Sequence, residues 1–365
     1  MFRRIKSVTQ LVHTLTVGDA VSDSALNMHE VFLRIGLHSR ILALAVHPKL
    51  SGLCETVNDS TITSDLVILH YSIGGPILDK FVTSSSFKKG IVFHNITPPE
   101  FFDGVNTNVK SIIIDGLQNL EKVISVSDFV FSDSSHNIDT LKSLVHFSAS
   151  SIVLPLTIRG SRFERISILD KINWTCVPKQ QKSAKVKCLY VGRIAPNKNL
   201  ELCLKSFAVF RRCYEGDSLL WFVGNATDCE LYKAKLKCLA DFLGILDRVV
   251  FWGHVSDGFL KILFENASVY LALSKHEGFC VPVIEAMRFG LPVLAKGGTA
   301  VEETLGNSGF ILNSNDPLKF AEAIFSLLSK KNQIVESQRT RLRDFSFERF
   351  EQNLVSALEK IDAGF

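Results

Sequence analysis

The sequence has no Gly-x-Gly-x-x-Gly and no Gly-x-x-x-x-Gly-Lys-Ser/Thr, so the dinucleotide fingerprint and the P-loop are both missing. Dinucleotide dehydrogenases and P-loop enzymes thereby lose their main support. There is no Cys-x-x-Cys pair either: the eight cysteines stand at 54, 176, 188, 203, 213, 229, 238 and 280, without a histidine-rich companion. That scatter speaks against a disulfide framework or a zinc site and predicts reduced, mostly buried thiols. No stretch stays apolar for the roughly 20 residues a membrane span requires. The basic start "MFRRIKS" runs into "VTQLVH", which is too short and too polar for a signal-peptide core and reads as a first strand. Long basic runs are absent, and 41 Lys and Arg against 37 Asp and Glu leave a formal net charge of +4, which disfavours nucleic-acid binding through phosphate neutralisation. The chain reads as cytoplasmic, with a peripheral contact at the inner membrane surface left open.

What is present is a globular composition, 46% hydrophobic and 21% charged, over 365 residues, a length that calls for two cores. Short β-rich runs alternate with helical patterns nearly throughout, the signature of an α/β protein with parallel sheets covered by helices. Strands are predicted at 8–13, 39–46, 65–72, 90–95, 128–134 and 151–156. Between the first two, "SALNMHEVFLRIG" reads as a helix with apolar Leu26, Val31, Leu33 and Ile35 and a terminating Gly36. The alternation fails in the polar stretch around "RGSRFERISILDKINWTCVPKQQKSAK", and strands return at 186–192, 218–225, 247–254, 267–274, 291–296 and 308–313. The predicted organisation is a doubly wound, Rossmann-like domain over 1–165, a linker over 166–185 and a second such domain over 186–345. A last helix over 346–365, with Phe350, Leu354, Leu358 and Ile361 on one side, would pack back on the first domain. In open α/β sheets ligands bind beyond the carboxyl ends of the strands, so a cleft between two such domains is where function is sought.

The segment "SKHEGFCVPVIEAMRFGLPVLAK", 274–296, holds two glutamates with seven residues between them. Pro282 suits the first position of a helix and Gly290 the position just past its end, which predicts about two turns over "PVIEAMRF". Helical side chains lean toward the N-terminus, so Glu285 points back toward the turn carrying Glu277. The backbone N–H groups of Gly278, Phe279, Cys280 and Val281, with the positive end of the helix dipole, attract a phosphate. Carboxylates repel phosphate but accept strongly from hydroxyls. A ligand with phosphate in the middle and hydroxyls on both sides fits, and a nucleotide sugar is such a molecule. Upstream, "VGRIAPNKNLELCLKSF" ends a strand at Val191, lets Asn197 or Asn199 cap a helix, and leaves Arg193 and Lys198 in the loop. Alone these cations would be solvated; beside a diphosphate they would neutralise a leaving group.

With "HEGFCVPVIEAM" and "VGRIAPNKN" together, the chain resembles the family 4 retaining glycosyltransferases, which carry a Glu-x7-Glu signature and have the GT-B fold. The resemblance implies that the second domain binds a nucleotide sugar and the first an acceptor. It implies that Arg193 and Lys198 contact the diphosphate, with Gly192 in the same loop. Glu285 would hold the ribose hydroxyls and Glu277 the transferred sugar, and the backbone of Gly278, Phe279 and Cys280 would approach the phosphates. "WGHVSD" is similar to the segment along the nucleobase, with His254 and Val255 nearest. Cys280 stands where relatives often carry Gly or Ser.

In the first domain "GIVFHNITPPEFF" ends a strand at His94 and enters a Pro-rich loop. A lone His is more often structural, but this position matches the family histidine near the reacting sugar. His70, and Gly18 with Asp19, also occupy strand ends; where the family often has a double Gly, this chain has only Gly18. The implied activity is transfer of a hexose, with retention, from GDP-mannose or a UDP or dTDP sugar to a hydroxyl of a glycan or lipid-linked acceptor in surface polysaccharide synthesis. No cofactor or metal is expected, and no nucleic acid. Two alternatives stay open: a catalytically silent nucleotide-sugar-binding protein and a sugar-nucleotide epimerase.

Overall fold

The computed structural model describes residues 2–57, 62–158 and 160–364. The chain divides into two units, one of Met1–Glu100, Thr107–Arg159 and Phe345–Phe365, the other of Phe101–Asn106 and Gly160–Asp344.

In the first unit β1 (Ser7–Leu15), β2 (His38–Val46), β3 (Glu55–Thr56), β4 (Thr63–Tyr71), β5 (Ser85–Phe93), β6 (Phe129–Ser132) and β7 (Ser150–Val153) form a sheet ordered β3-β2-β1-β4-β5-β6-β7. Every pairing is parallel. The helices are α1 (Ala20–Arg34), α2 (Ile77–Thr83), α3 (Thr107–Ser125) and α4 (Ser135–Leu144). Because helices cover both faces, central strands lose the apolar-polar alternation, and Leu66 through Tyr71 of β4 are all buried. α1 starts earlier than expected because the Asp19 carboxylate accepts from the Ser22 N–H at 2.9 Å and caps it. Leu33, one of its apolar residues, is 52% exposed. The strand expected to include His94 ends at Phe93.

In the second unit β8 (Val186–Val191), β9 (Ser218–Val223), β10 (Val249–Gly253), β11 (Val269–Ala272), β12 (Val293–Lys296) and β13 (Phe310–Leu312) are ordered β10-β9-β8-β11-β12-β13, again all parallel. Its helices are α5 (Ile168–Cys176), α6 (Lys179–Ser183), α7 (Leu200–Cys213), α8 (Glu230–Phe242), α9 (Asp257–Asn266), α10 (Val281–Arg288), α11 (Val301–Leu305), α12 (Pro317–Ser329) and α13 (Lys331–Leu342). The order of strands reverses between β8 and β11, so the loops leaving those two strands flank the switch point where α/β sheets bind ligands.

The stretch expected as a linker is ordered as α5 and α6 and lies in the second unit, whose main segment begins at Gly160. Ser167 and Asp170 form a reciprocal capping box at the start of α5. Its sequence hides the helix because Ile168 and Leu169 are 78% and 65% exposed, so the apolar residues do not mark an inner face. Trp174 supplies the anchor, edge-on to Trp221 with ring centroids 6.4 Å apart. The last helix, α14 (Phe347–Ala363), belongs to the first unit. Phe350, Leu354, Leu358 and Ile361 share one core with Val8, Phe32 and Phe131. The cysteines are free, but only Cys188, Cys203 and Cys229 are buried; Cys176, Cys213 and Cys238 are exposed, contrary to the expectation of mostly buried thiols. Among the described residues no helix is long and apolar enough to cross a membrane.

Candidate functional site

β8 delivers the chain to Gly192, whose φ of 150° suits glycine and where a Cβ would meet the Tyr190 hydroxyl at 2.7 Å. The next loop over, after β9, abuts it so closely that a Cβ at Gly224 would stand 2.0 Å from the Gly192 carbonyl oxygen. The loop then makes a short 3-10 turn, Pro196–Lys198, and reaches Asn199 in the left-handed conformation, φ 55°. Asn199 sits at the N-cap of α7, but its side chain does not cap the helix as expected. It donates instead to the Leu273 carbonyl at 2.9 Å, while the Lys275 N–H donates to the Asn197 carbonyl at 2.9 Å. These bonds tie the loop after β8 to the loop after β11.

The consequence is an ion pair set by backbone. Lys198 Nζ lies 2.8 Å from both oxygens of Glu277, and the Ser274 hydroxyl donates to Glu277 Oε1 at 2.7 Å. Lys198 is 20% and Glu277 11% exposed, so the pair is partly shielded and faces solvent on one side. α10 follows, with Cys280 at its N-cap in the left-handed region at φ 77° and Pro282 in its first turn. Phe279 is 5% exposed and packs inward, and the Thr304 hydroxyl donates to its carbonyl at 2.6 Å. The Cys280 thiol is pushed well up, first by burial and then by Glu277, so it stays a neutral thiol.

Glu285, in the second turn of α10, is 1% exposed, which excludes a solvated helix-face role. Arg162 donates to it at 2.5 Å through Nη1 and to Asp257 at 3.0 Å through Nε. Asp257 opens α9, two residues after Val255, so Arg162 links the segment expected along a nucleobase to the carboxylate expected on a ribose. Arg193 is turned elsewhere: its guanidinium is 3.4 Å from Asp228 and 5.7 Å from the centre of the Phe102 ring. The structure thus brings Lys198, Glu277 and Ser274 into one bonded group in the segment leading to α10, and Glu285, Arg162 and Asp257 into a second.

His94 and Gly18 belong to the other unit, just beyond β5 and β1. Gly18 has φ 76°, and His94 donates from Nδ1 to Asp133 Oδ2 at 2.8 Å. Among the described residues no three His, Cys, Asp or Glu side chains are gathered as metal ligands. Sequence reasoning missed Arg162, Asp257 and Ser274. Arg162 lies in the stretch read as linker, where nothing local marks a partner 123 positions away. Ser274, three residues before Glu277 on a turn, carried a legible signal as a short side-chain donor at that spacing.

Residues 177–346 match the family described as Glycosyl transferases group 1. The O-antigen chain mannosyltransferase RfbU of Salmonella typhimurium is 32% identical over 145 residues, 40% of this chain and 39% of that protein. The O-antigen chain mannosyltransferase B of Escherichia coli is 25% identical over 245 residues, 61% of this chain and 57% of that protein. The chain therefore spans less than two thirds of either relative's length. Among solved structures, Anabaena Alr3699/HepE in complex with UDP and glucose superposes with a TM-score of 0.77 at 16% identity, covering 97% of this chain and 100% of that one. Two Rossmann-like α/β units and these neighbours give the chain the GT-B fold, and its residues 177–346 match the glycosyl transferases group 1 family.

Proposed function

We propose that the protein is a retaining glycosyltransferase of family 4 that moves a hexose from a nucleoside diphosphate sugar to a hydroxyl of a glycan or lipid-linked acceptor. The observation that carries the reading is Lys198 held on Glu277 at the amino end of α10, at the strand-order switch of the second unit. As the anomeric C–O bond breaks, charge gathers on the diphosphate. Lys198 and the helix N-terminus, joined by Arg193 once it leaves Asp228, stabilise that charge more than they stabilise the bound donor, which is what lowers the barrier. Glu277 holds Lys198 in place and accepts from hydroxyls of the transferred sugar. Glu285 accepts from the ribose, with Arg162 fixing its orientation, and His254 and Val255 border the base. The acceptor attacks from the face the leaving phosphate vacates, and that phosphate takes the acceptor proton, so no side chain is assigned as base. The names of the O-antigen mannosyltransferases support GDP-mannose as the first donor to try and surface polysaccharide as the product class, and HepE with UDP and glucose supports a UDP sugar as the second.

The test is transfer by the purified chain from GDP-mannose, UDP-glucose and dTDP sugars, with product mass and anomeric configuration read by mass spectrometry and NMR. Lys198→Ala is expected to lower turnover by about 10²-fold or more with an unchanged melting temperature. Near-normal turnover in that variant would contradict the charge-stabilisation mechanism. Donor binding without transfer under any of these conditions favours the silent binding protein, and a product isomeric with the donor favours the epimerase. A chelator is expected to leave turnover unchanged.

A further inference from the structure

The first unit's sheet steps a line of polar side chains across four neighbouring strands. Gln10 on β1 pairs with Ile68 on β4, so His70 stands two residues further along the same face. His70 pairs with Val92 on β5, and His94 is again two residues on; Phe93 pairs with Ser132 on β6, which sets Asp133 beside His94. Each group reaches the next, with Gln10 Oε1 2.9 Å from His70 Nε2, His70 Nδ1 2.9 Å from His94 Nε2, and His94 Nδ1 2.8 Å from Asp133 Oδ2. The two imidazole planes are within 11° of parallel with centroids 5.2 Å apart, and the short nitrogen–nitrogen distance makes this an edge-to-edge pair in one plane. The side chains of His94 and Asp133 are 4% and 3% exposed.

Donor and acceptor rules fix where the hydrogens lie. Gln10 Nε2 donates to the Ala25 carbonyl at 3.0 Å, so its Oε1 faces His70 and can only accept. His70 therefore carries a hydrogen on Nε2. Burial first, and the neighbouring His94 second, hold the His70 pKa well below its ordinary value, so the ring is neutral and its Nδ1 is a bare acceptor. His94 Nε2 must then donate, and its Nδ1, facing a carboxylate, donates as well. We infer that Gln10 and His70 are positioning residues that hold His94 with a hydrogen on both ring nitrogens, so that this histidine cannot serve as a base. In a histidine oriented by a carboxylate alone, the far nitrogen is left open to take a proton. Here His70 occupies it.

The test uses the full chain labelled with ¹⁵N at its ten histidines, with signals assigned from His70→Gln and His94→Gln. At neutral pH one ring is expected to show one-bond N–H coupling at both nitrogens, lost in His94→Gln, and another at Nε2 only, lost in His70→Gln. A bare nitrogen on His94 overturns the inference. Gln10→Leu removes the acceptor that fixes His70, whose hydrogen is then expected to move to Nδ1 and strip the coupling from His94 Nε2. An unchanged pattern in Gln10→Leu overturns the positioning role, and if that variant does not fold, the wild-type pattern alone decides. None of these readouts depends on a sugar donor, so their failure leaves the proposed transfer standing.

Discussion

Arg162 shows how a single side chain can matter most where the sequence says least. It contributes two charge-assisted hydrogen bonds, one of them to a carboxylate that is 1% exposed. Buried pairs of this kind are strongly coupled, because removing one partner leaves the other desolvated without its counter-charge. Arg162→Met is expected to destabilise the second unit by about 3 kcal/mol. Glu285→Gln in the same chain should recover part of that loss, giving a coupling energy above about 1 kcal/mol in a double-mutant cycle read by denaturant unfolding. Additive losses would show that the two residues act separately. Glu277 and Glu285 were legible from their own segment, through proline, glycine and helix geometry. Their cationic partners were not: Lys198 was legible as a loop cation for a diphosphate, not as the partner of Glu277, and Arg162 was not legible at all. Arg193 was legible as a loop cation, but its turn toward Asp228 and Phe102 depends on chain segments that no local pattern joins.

At the scale of elements, the start of α10 depends on one residue in an unusual conformation. Cys280 holds φ 77°, a region that costs a side-chain-bearing residue about 1–2 kcal/mol, and more when the side chain branches at Cβ. Cys280→Val is therefore expected to lower stability by about 1–2 kcal/mol, whereas Cys280→Gly should melt at or above the wild-type temperature. A melting temperature for Cys280→Gly well below wild type would show that thiol packing outweighs backbone strain. Strands were readable because a buried parallel sheet writes unbroken β-branched and aromatic runs. α5 was not, since its outward Ile168 and Leu169 erase the periodicity on which a helix is recognised. Its capping serine and aspartate, three residues apart, were the local signal available.

At the scale of the whole chain, Asp362 fastens one terminus to the other. Its carboxylate accepts from the backbone N–H groups of Arg3, Arg4 and Ile5 at 2.6, 2.8 and 2.8 Å. Burial alone would raise its pKa, but the three donors and nearby Lys6 outweigh burial and set it below the ordinary 3.8. A carboxyl depressed in the folded state stabilises the fold above its unfolded value and loses that contribution as pH falls through the folded one. Asp362→Ala is accordingly expected to lose about 2 kcal/mol near neutrality. The gap to wild type should close as pH drops below 3.8, followed as melting temperature against pH. A gap that stays constant into acid would assign the effect to packing.

The interrupted course of the first unit also bears on how the protein is made. Strands β1 to β7 emerge from the ribosome long before Phe350, Leu354, Leu358 and Ile361 exist to cover them. The second unit, continuous apart from Phe101–Asn106, is almost fully translated by then. Synthesis at about 5–20 residues per second leaves the nascent sheet with an open apolar face for many seconds, an interval in which a chaperone has something to hold.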